Sequence, residues 1–381
     1  MTRFVIRRLL LSIPVIFGIV FVVFTTARLI PGDPCRAVLG ERATDATCNA
    51  FIIRYGLDKA ILPGLFRVDA DLVFDPGRIG PTLLDNQFLG YLGDVSRGDL
   101  GQSLKQSRPV TTMLVERLPT TIELSLLALL FAVIVGVPLG LISGYRRNSP
   151  LDVATMGFAN LGVSMPVFVL GLLLAFVFSI LLKGTPISLP PSGRLSTGVD
   201  VIPLVKIWGL QTLQGPPRAL LDFVSGIYTF SALISGQWGA AADAFRHLIL
   251  PAIALGTIPL AIVARITRSS LLDVLGQDFV RTARAKGLNE RSVVIRHAAR
   301  NALLPVVTVI GLQLGALLSG AILTETTFNL AGVGRSIFEA ITGRDFAVIQ
   351  GFTLVIAVFY VVVNLAVDVS YSYLDPRVRL R

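Results

Sequence analysis

Apolar residues in this chain occur in long, nearly uninterrupted runs, and not in the short periodic patterns of a soluble domain. Six runs are long enough to cross about 30 Å of hydrocarbon as α-helices. Backbone groups in lipid must be hydrogen-bonded internally, so helices are the expected spanning form. The pattern predicts an all-α integral membrane protein with six transmembrane helices. They lie at about 9–30, 119–143, 154–182, 248–271, 303–324 and 348–371.

The segments between these runs predict folded outer loops on a single membrane domain, residues 1–381. The first loop, 31–118, has helical patterns around 36–55 and 87–96, separated by a Pro/Gly/Asp-rich stretch, and this predicts a small folded cap. The second loop, 184–247, holds apolar pieces that are too short to span the membrane. Residues 272–302 form the main polar segment on the other side and are called the docking loop here.

Glycines recur every four residues in two of the predicted spans. They are Gly136, Gly140 and Gly144 in the second span, and Gly311 with Gly315 in the fifth. Small residues at this spacing line one helix face and let helices approach closely in lipid. They predict a packed helix bundle and carry no information on function.

Basic residues give the orientation of the chain in the membrane. With both termini placed inside, the inner segments carry 16 Lys and Arg against five acidic residues, whereas loop 31–118 balances ten against eleven. An inner excess of Lys and Arg is the usual arrangement and predicts an N-in, C-in topology. It also accounts for the net charge of +10 and the pI near 10.1 without a nucleic acid partner.

The first apolar run could also be a secretory signal peptide, since Thr25 and Ala27 have the spacing of a cleavage site. The run is longer than a typical signal core. Its removal would leave an odd number of spans and spoil the charge pattern. We therefore expect the first helix to be retained.

The two cysteines, Cys35 and Cys48, both lie in the first outer loop. Two interpretations stay open: a pair of free thiols, or a disulfide that closes and stiffens a local turn in oxidising surroundings.

No constellation of catalytic or metal-binding residues is present in the sequence. His247 and His297 fall on opposite sides of the membrane in the predicted topology, and no P-loop exists to hold ATP phosphates. An intramembrane serine protease would need a base beside Ser164, Ser179 or Ser319, but no span has a histidine at mid-depth. We expect a chain without a catalytic or metal site.

Four polar residues lie in or near the last two predicted spans, where ionisable groups are costly and often functional. They are Gln313, Glu325, Asn364 and Asp368. Two interpretations stay open for each residue. The side chain lines a water-filled pathway, or it pins neighbouring helices together by hydrogen bonds.

The docking loop is basic, rich in alanine and punctuated by glycine, a pattern that predicts two short helices. Asp278 can cap the first helix, and Gly287 can end it in the left-handed conformation. Asn289 or Ser292 can start the next. Small residues at an exposed tip, Ala283 and Ala285 with Gly287, would seat in a groove of a soluble partner. The alternative is a solvated connector held by anionic lipid.

The docking loop resembles that of ABC importer inner-membrane permeases, in the dipeptide/oligopeptide branch that includes nickel and glutathione systems. The general family loop is Glu-Ala-Ala, three residues, Gly, nine residues, then Ile-x-Leu-Pro. Here Arg281-Thr-Ala283 stands at the Glu-Ala-Ala position, Gly287 at the glycine and His297 at the isoleucine. Leu304-Pro305 comes five residues later than in the general pattern, as in the peptide branch.

The resemblance covers nearly the whole chain, with two branch prolines replaced by Ala331 and Ala347. Segments 63–86 and 195–230 look longer than usual, and we expect them to serve docking of a binding protein or closure of the pathway, or to be padding on the lipid surface. The matching motifs run in the expected order: Arg7-Arg8, Pro31-Gly-Asp-Pro34, Gly98-Asp-Leu-Gly-Gln-Ser103, Arg117-Leu-Pro-Thr-Thr121, His247-Leu-Ile-Leu-Pro251, Ala264-Arg-Ile-Thr-Arg-Ser-Ser270, Glu325-Thr-Thr-Phe328, Gly332-Val-Gly334, Arg344-Asp-Phe346, Val348-Ile-Gln-Gly351, Asn364 with Asp368, and Asp375-Pro-Arg377.

The resemblance implies a non-catalytic permease subunit in a bacterial inner membrane. It would pair with a second, related permease, and an external binding protein would deliver the peptide. Two cytoplasmic ATPases would bind ATP and Mg²⁺ and contact a cytoplasmic coupling helix in the docking loop. The residues implied for that contact are Asp278, Arg281, Thr282, Ala283, Arg284, Ala285, Lys286, Gly287, Leu288 and His297.

Alternatives within transport are a nickel or a glutathione importer. From other classes, the alternatives are an intramembrane enzyme or a membrane scaffold. Copurification with ATPase subunits would discriminate against both of the latter. Neither ATP nor a metal is expected to bind this chain.

Overall fold

The computed structural model of the chain describes residues 2–29, 34–40, 42–68 and 71–374. Two motifs of the sequence comparison fall wholly or partly elsewhere. Pro31-Gly-Asp33 and Asp375-Pro-Arg377 lie outside the described residues, as do the basic residues Arg379 and Arg381.

The described residues are mainly helical, with one pair of short strands. Shorter 3-10 and π turns occur at Pro76–Arg78, Phe176–Leu181 and Val293–Ala298. The elements in chain order are α1 (Thr2–Leu29), α2 (Pro34–Leu39), α3 (Asp45–Arg54), β1 (Leu65–Val68), β2 (Asp71–Phe74), α4 (Ile79–Thr82), α5 (Gln87–Ser96), α6 (Val110–Tyr145), α7 (Pro150–Ser164), α8 (Val167–Ala175), α9 (Leu204–Ile207), α10 (Pro216–Ser225), α11 (Tyr228–Ile234), α12 (Trp238–Leu275), α13 (Asp278–Ala285), α14 (Glu290–Ser292), α15 (Ala299–Gly320), α16 (Ile322–Thr327), α17 (Val333–Thr342) and α18 (Phe346–Leu374).

Among the described residues, five helical stretches are long and apolar enough to cross a membrane. They lie at Val5–Leu29, Val110–Tyr145, Trp238–Leu275, Glu290–Leu318 and Phe346–Val369. A sixth stretch passes the same test only if α7 and the helix after it are counted together. The structure therefore supports five or six of the predicted spans.

The third predicted span, 154–182, is not one continuous helix, and this corrects the sequence prediction. Pro150–Ser164 and Val167–Leu181 meet at an angle of 101°. The break falls at Met165, which is extended (φ −100°, ψ 135°), followed by Pro166. Proline has no N–H to donate and disfavours helical backbone in the preceding residue, so the helix ends there.

The described chain divides into two compact units. The cap unit consists of Arg7–Arg117 and Ser336–Val358, and thus contains most of the predicted outer cap. The central unit consists of Met1–Ile6, Leu118–Arg335 and Phe359–Arg381, and contains the docking loop.

The core of the cap unit joins α1 to α5 through aromatic contacts. Phe88 is buried and meets three phenylalanines of α1 in edge-on geometry, with centroids 5.0 Å apart for Phe24. Val20, Ile61 and Leu354 complete this cluster. Helix α5 matches the helix predicted at 87–96. The side chain of its capping residue, Asn86, accepts a hydrogen bond from the Leu89 N–H (2.9 Å).

A β-hairpin in the cap unit corrects the all-α prediction. Strands β1 and β2 pair antiparallel, with Leu65 opposite Phe74 and Phe66 opposite Val73. Valine and phenylalanine favour strands, but the two runs are short and lie in a stretch rich in proline and glycine, which was therefore interpreted as a loop. Gly64 precedes β1 at φ +74°, a conformation that suits glycine.

A buried aspartate ties two of the sequence motifs together in the cap unit. Asp345 is 3% exposed, and its carboxylate accepts hydrogen bonds from the Ser103 hydroxyl and from the Leu104 N–H (3.1 Å). The Lys105 N–H lies 3.3 Å from the same carboxylate. The motif ending at Ser103 and the motif Arg344-Asp-Phe346 therefore form one contact.

In the central unit, α6 packs closely along α12 through the predicted glycine stripe. A Cβ atom added at Gly136 would lie 2.9 Å from the Leu260 carbonyl oxygen, and one at Gly144 would meet Leu271 at 3.1 Å. The prediction of a close helix approach at these glycines is confirmed. Gly315 similarly faces the Tyr360 ring on α18.

A buried ion pair holds the second predicted outer loop against α6. Arg194 donates to the Glu123 carboxylate, to the Thr120 hydroxyl (2.9 Å) and to the Gly226 carbonyl (2.9 Å), and its guanidinium lies 3.9 Å from the Tyr228 ring centroid. Burial lowers the pKa of Arg194, while the neighbouring carboxylate opposes that shift. Loop 184–247 is thus anchored to the central unit.

Candidate functional site: the docking loop and the buried carboxylates

The first helix of the docking loop, α13, ends in a Schellman motif. The Leu288 N–H donates to the Ala283 carbonyl (3.4 Å), and the Gly287 N–H donates to the Arg284 carbonyl (2.9 Å). Gly287 has φ +77°, the left-handed conformation that this motif requires and that glycine adopts without strain. The chain therefore turns sharply at the position that the sequence indicated.

The start of α13 differs from the prediction. Asp278 is the first helical residue, while Gln277 occupies the capping position and makes no side-chain cap hydrogen bond. The Asp278 carboxylate is exposed and lies 3.5 Å from the Arg281 guanidinium. A carboxylate in the first turn still stabilises the helix through its dipole, which explains why the residue type suits this position.

One face of α13 is buried against the end of α12 and the start of the next helix. Val280 is 0% and Ala283 is 8% exposed, and they share an apolar cluster with Leu271, Val293 and Ala298. The placement of Ala283 on the exposed tip is therefore wrong. Its small side chain instead lets α13 approach its neighbours, with which it shares this cluster.

The opposite face of the docking loop is exposed, basic and partly apolar. Phe279, Leu288 and Ile295 are 38%, 42% and 58% exposed. The other exposed members are Arg281, Thr282, Arg284, Ala285, Lys286 and Gly287. Exposed apolar side chains ringed by cations suit a groove with an apolar floor and an acidic rim. Sequence reasoning missed Phe279, which lies next to the buried Val280, and Ile295, which follows the buried Val294.

The second helix of the docking loop begins at Asn289. Its side chain accepts a hydrogen bond from the Arg291 N–H (3.0 Å), so Asn289 and not Ser292 is the cap. The helix continues through a π turn, Val293–Ala298, into α15. His297 lies in this turn, half-buried, and its carbonyl accepts from the Asn301 amide (3.3 Å).

The sequence analysis did not predict the ion pair between Asp152 and Arg268, which lies just before the docking loop in the sequence. Asp152, 4% exposed, accepts two hydrogen bonds from Arg268 at 2.9 Å each. The Ser143 hydroxyl and the Asn148 N–H donate to the same carboxylate. This network ties α6, α7 and α12 together at the ends that lead into the polar connections. The available signal was the motif containing Arg268.

Glu325 is fully buried and held by residues distant in sequence. The Thr121 hydroxyl donates to one carboxylate oxygen (2.6 Å), and the Arg335 N–H donates to the other (2.9 Å). Thr121 in turn accepts from the Val333 N–H (2.9 Å). Burial raises the pKa of Glu325 to about 7, although these hydrogen bonds oppose the rise. The geometry agrees with a pinning role.

A glycine completes the seat of Glu325. A Cβ atom added at Gly332 would overlap the Glu325 carboxyl group, so this position requires glycine. The motifs around Thr121, Glu325 and Gly332 thus meet at one point, which their separate positions in the sequence did not reveal.

The other three predicted polar residues are not gathered around Glu325. Gln313 is half-buried on α15 and lies two residues from both Gly311 and Gly315, which face α18. Two helical residues correspond to about 200°, so Gln313 is on the opposite side of α15. Asn364 and Asp368 are half-buried on α18. Their assignment to a pathway or to packing remains a prediction.

The two cysteines of the cap unit are bonded to each other in the structure. The disulfide joins Cys35 in α2 to Cys48 in α3, and both side chains are buried. Within the residues that the structure describes, no group of three or more His, Cys, Asp or Glu side chains is arranged to hold a metal ion.

Two family models match the chain in consecutive parts. The model described as binding-protein-dependent transport system inner membrane component matches residues 136–380. The corresponding N-terminal model of the membrane component matches residues 1–125.

Curated relatives match over the full length. The dipeptide transport system permease protein of Alkalihalophilus pseudofirmus is 41% identical, with 100% of both chains covered. The di/tripeptide transport system permease protein of Pseudomonas aeruginosa is 41% identical over 100% of this chain and 99% of the relative. The glutathione transport system permease protein of Escherichia coli is 33% identical over 100% of both. The chain therefore belongs to the family of inner-membrane components of binding-protein-dependent transport systems, the non-catalytic permease subunits of ABC importers.

Proposed function

We propose that this permease subunit serves an ATP-driven importer of dipeptides and oligopeptides. The observation that carries the proposal is the 41% identity to dipeptide and di/tripeptide permeases over the entire chain. The identity extends through both units, so it includes the segments that would contact the substrate and the partners.

We assign the chain six spans with both termini in the cytoplasm, the bent pair α7–α8 crossing as one. The excess of Lys and Arg in the inner segments supports this topology. In this topology the docking loop faces the cytoplasm, and the disulfide and the β-hairpin of the cap unit face outward. An outward position also suits a disulfide, which persists in oxidising compartments.

The proposed assembly contains this chain, a second related permease, two cytoplasmic ATPases and an external binding protein. The exposed face of the docking loop would contact one ATPase through Phe279, Leu288 and Ile295, with Arg281 and Lys286 at the rim. ATP and Mg²⁺ would be bound by the ATPases. No group of this chain takes part in phosphate chemistry.

The packing of α13 explains how ATP binding could reach the membrane. Because Val280 and Ala283 are buried with residues of α12 and the helix after it, a shift of α13 is transmitted to both. The ATPase can favour the outward-open arrangement only by binding it more tightly than the inward-open one. A change from 1:99 to 99:1 requires about 5.5 kcal/mol of differential binding.

The 33% identity to a glutathione permease supports glutathione, itself a short peptide, as the second candidate substrate. A host strain without its own peptide and glutathione importers, supplied with the complete system, would discriminate between them. We expect uptake of labelled dipeptides that unlabelled dipeptides inhibit and glutathione does not. Uptake of glutathione alone would favour the second candidate, and uptake of neither would refute the import of dipeptides.

A further inference from the structure

Helix α12 carries an exposed arginine within its membrane-spanning stretch. The Arg265 guanidinium donates to the side-chain oxygen of Asn160 on α7 (3.0 Å), and both side chains are exposed. Among the described residues, no carboxylate forms an ion pair with Arg265. Arg268, one turn further along α12, is in contrast paired with the buried Asp152. Ionisable groups within a span are costly, and an arginine there calls for an explanation.

Helices α7 and α12 pack side by side in opposite directions. Asp152, near the start of α7, is paired with Arg268. Ten residues further along α7, a Cβ atom added at Gly162 would lie 2.8 Å from Thr257, which comes eleven residues before Arg268. Asn160, two residues before Gly162, is therefore level with a position about two residues after Thr257 on α12.

The Arg265 side chain extends along α12 to reach Asn160. Arg265 comes eight residues after Thr257, so its Cα atom lies about six residues, or about 9 Å, closer to the cytoplasmic end of α12 than Asn160 does. The guanidinium therefore points toward the middle of the membrane in the proposed topology. An arginine that faced lipid would be expected to extend to the nearby cytoplasmic surface instead. The direction of the side chain suits a water-filled passage.

The face of α12 that carries Arg265 is open toward the cytoplasm and closed toward the outside. Ile258, Arg265 and Ser269 are exposed and share this face at i, i+7 and i+11. Pro251, on the same face seven residues before Ile258, is buried. The wall of a pathway that is open to the cytoplasm has this arrangement.

Helix α7 presents two exposed stripes, one small and polar and the other apolar. Gly157, Asn160 and Ser164 share the first stripe at i, i+3 and i+7 and continue the surface that carries Arg265. Phe158 and Leu161 belong to the second stripe, which borders an apolar groove. The apolar stripe suits lipid, and the polar stripe suits water.

We propose that Arg265, positioned by Asn160, binds the C-terminal carboxylate of the transported peptide inside the translocation pathway. A guanidinium matches a carboxylate in charge and in planar geometry, and the Asn160 contact occupies one of its five N–H donors. Every free peptide carries this carboxylate, so one site would serve peptides with different side chains. The inference rests on the proposed function, since it takes peptides as the substrate.

Introduced cysteines test whether the surface faces water. The two native cysteines are bonded to each other, so an introduced cysteine is the one free thiol of this subunit. Ile258→Cys is compared with Leu161→Cys, because Leu161 lies at about the same level on α7 and is more exposed, 64% against 39%. In the nucleotide-free importer in lipid nanodiscs, a charged thiol reagent should label Ile258→Cys at least tenfold faster, since hydrocarbon excludes charge. Equal rates would overturn the proposal.

A binding measurement tests the ligand itself. The complete importer in nanodiscs, without its binding protein, is titrated with labelled dialanine and with the C-terminal amide of dialanine. The variants are Arg265→Gln and Arg265→Lys. The matched control is Arg246→Gln, which removes another exposed arginine of α12, bonded to the Ser188 carbonyl (2.7 Å). Copurification of the other subunits verifies that each variant assembles.

We expect the wild type to bind dialanine at least tenfold more tightly than the amide, since a charged hydrogen-bonded pair is lost with the carboxylate. Arg265→Gln should bind dialanine as weakly as the amide. Arg265→Lys, which keeps the charge, should retain part of the preference, and Arg246→Gln should match the wild type. Equal binding of dialanine and its amide by the wild type, or no binding, would overturn the proposal without any variant.

Two further outcomes would assign Arg265 to another anion and overturn the proposal. Loss of the second permease from Arg265→Gln, but not from Arg246→Gln, would place a carboxylate of that permease at Arg265. Anionic phospholipid that copurifies with the wild type and not with Arg265→Gln would place a lipid headgroup there.

Uptake with the binding protein present separates this inference from the proposed function. If the wild type imports dipeptides and Arg265→Gln binds dialanine normally, the inference fails and the proposed function stands. If Arg265 binds dialanine as expected but no dipeptide is imported, the proposed function fails.

Discussion

The docking loop and the buried carboxylates are stabilised over very different distances along the chain. The turn at Gly287 is formed by hydrogen bonds between residues that are at most five positions apart. In contrast, Glu325 is held by Thr121, 204 residues away, and Asp345 by Ser103, 242 residues away. The docking loop has an exposed basic face, whereas the two buried carboxylates are enclosed.

This difference teaches what each site can do. A partner can displace a locally formed turn without unfolding the units around it. An element that transmits force needs this property. A carboxylate that joins distant segments cannot move without breaking buried hydrogen bonds, which cost about 1–3 kcal/mol each when left unmade. Substitutions in the docking loop should therefore affect transport, and those at Glu325 should affect stability.

The largest effect is expected for Gly287→Val. No atom lies within 4 Å of a Cβ added at Gly287, so the substitution creates no clash and acts only through its φ of +77°. A β-branched residue there is strained by about 1–3 kcal/mol, which favours an altered turn and a misplaced helix end. We expect peptide uptake to fall at least tenfold at equal membrane abundance.

Two further variants make this result specific. Gly184 has φ +83° and equally open surroundings but lies outside the docking loop, so Gly184→Val should retain uptake within about twofold. Gly287→Asn should retain most uptake, because asparagine tolerates the left-handed conformation. Normal uptake by Gly287→Val, or an equal loss in both valine variants, would contradict a coupling role for the turn.

The next largest effect concerns the dependence of stability on pH at Glu325. Its pKa is about 7 in the folded protein against an ordinary 4.5, so between these values the folded state binds more protons than the unfolded state. The stability contributed by this group is therefore full below about pH 4.5 and falls as pH rises to 7, by about 3 kcal/mol in total. Denaturation in detergent at pH 5 and pH 7.5 measures the difference.

Glu325→Gln should remove this component of the pH dependence, whatever its overall stability. Glu116→Gln, at an exposed residue, is the matched control and should keep it. An identical pH dependence in wild type and Glu325→Gln would show that Glu325 does not titrate in this range and would weaken the contrast between the two kinds of site.

The sequence predicted the local features much better than the distant ones. Gly287 was identified, and Asn289 was one of two candidates beside Ser292, from the residue types that end and begin helices. Their hydrogen bonds are made within the same short segment. The helix at 87–96 was predicted from its pattern of apolar positions, and in the structure its Asn86 cap hydrogen bond is also made within the same short segment. Signals of this kind need no knowledge of the rest of the fold.

Features that depend on packing were missed or misplaced. Ala283 is buried because α12 and the second docking-loop helix cover it, which no local pattern reveals. The seat of Glu325 requires Thr121 and Gly332 to arrive from separate segments. The span predicted at 154–182 runs across the break at Met165–Pro166, since hydropathy alone does not distinguish one span from two helices.

In sequence separation the disulfide lies between the local turn at Gly287 and the distant contacts of the buried carboxylates, because Cys35 and Cys48 are 13 residues apart. Closing a loop of this length stabilises by at most about 3 kcal/mol on the chain-entropy model. We expect Cys35→Ser with Cys48→Ser to destabilise the protein by up to this amount and to leave ATPase binding unchanged. Non-reducing peptide mapping should show the linked peptides. Quantitative alkylation of both thiols in the unreduced, denatured protein would refute the bond.

The smallest effect is expected for the ion pair between Arg284 and Glu290 in the docking loop. The guanidinium donates twice to the carboxylate, at 3.0 and 2.7 Å, but the two side chains are 43% and 41% exposed. Exposed pairs contribute about 0–1 kcal/mol because water and salt screen the attraction. A double-mutant cycle with Arg284→Ala and Glu290→Ala, measured by denaturation, should give a coupling below about 1 kcal/mol that decreases as salt is added. The backbone turn at Gly287, which this pair brackets, should then hold the loop without it. A coupling energy as large as that of the disulfide, unaffected by salt, would show instead that side-chain charge and not the glycine turn fixes the docking loop.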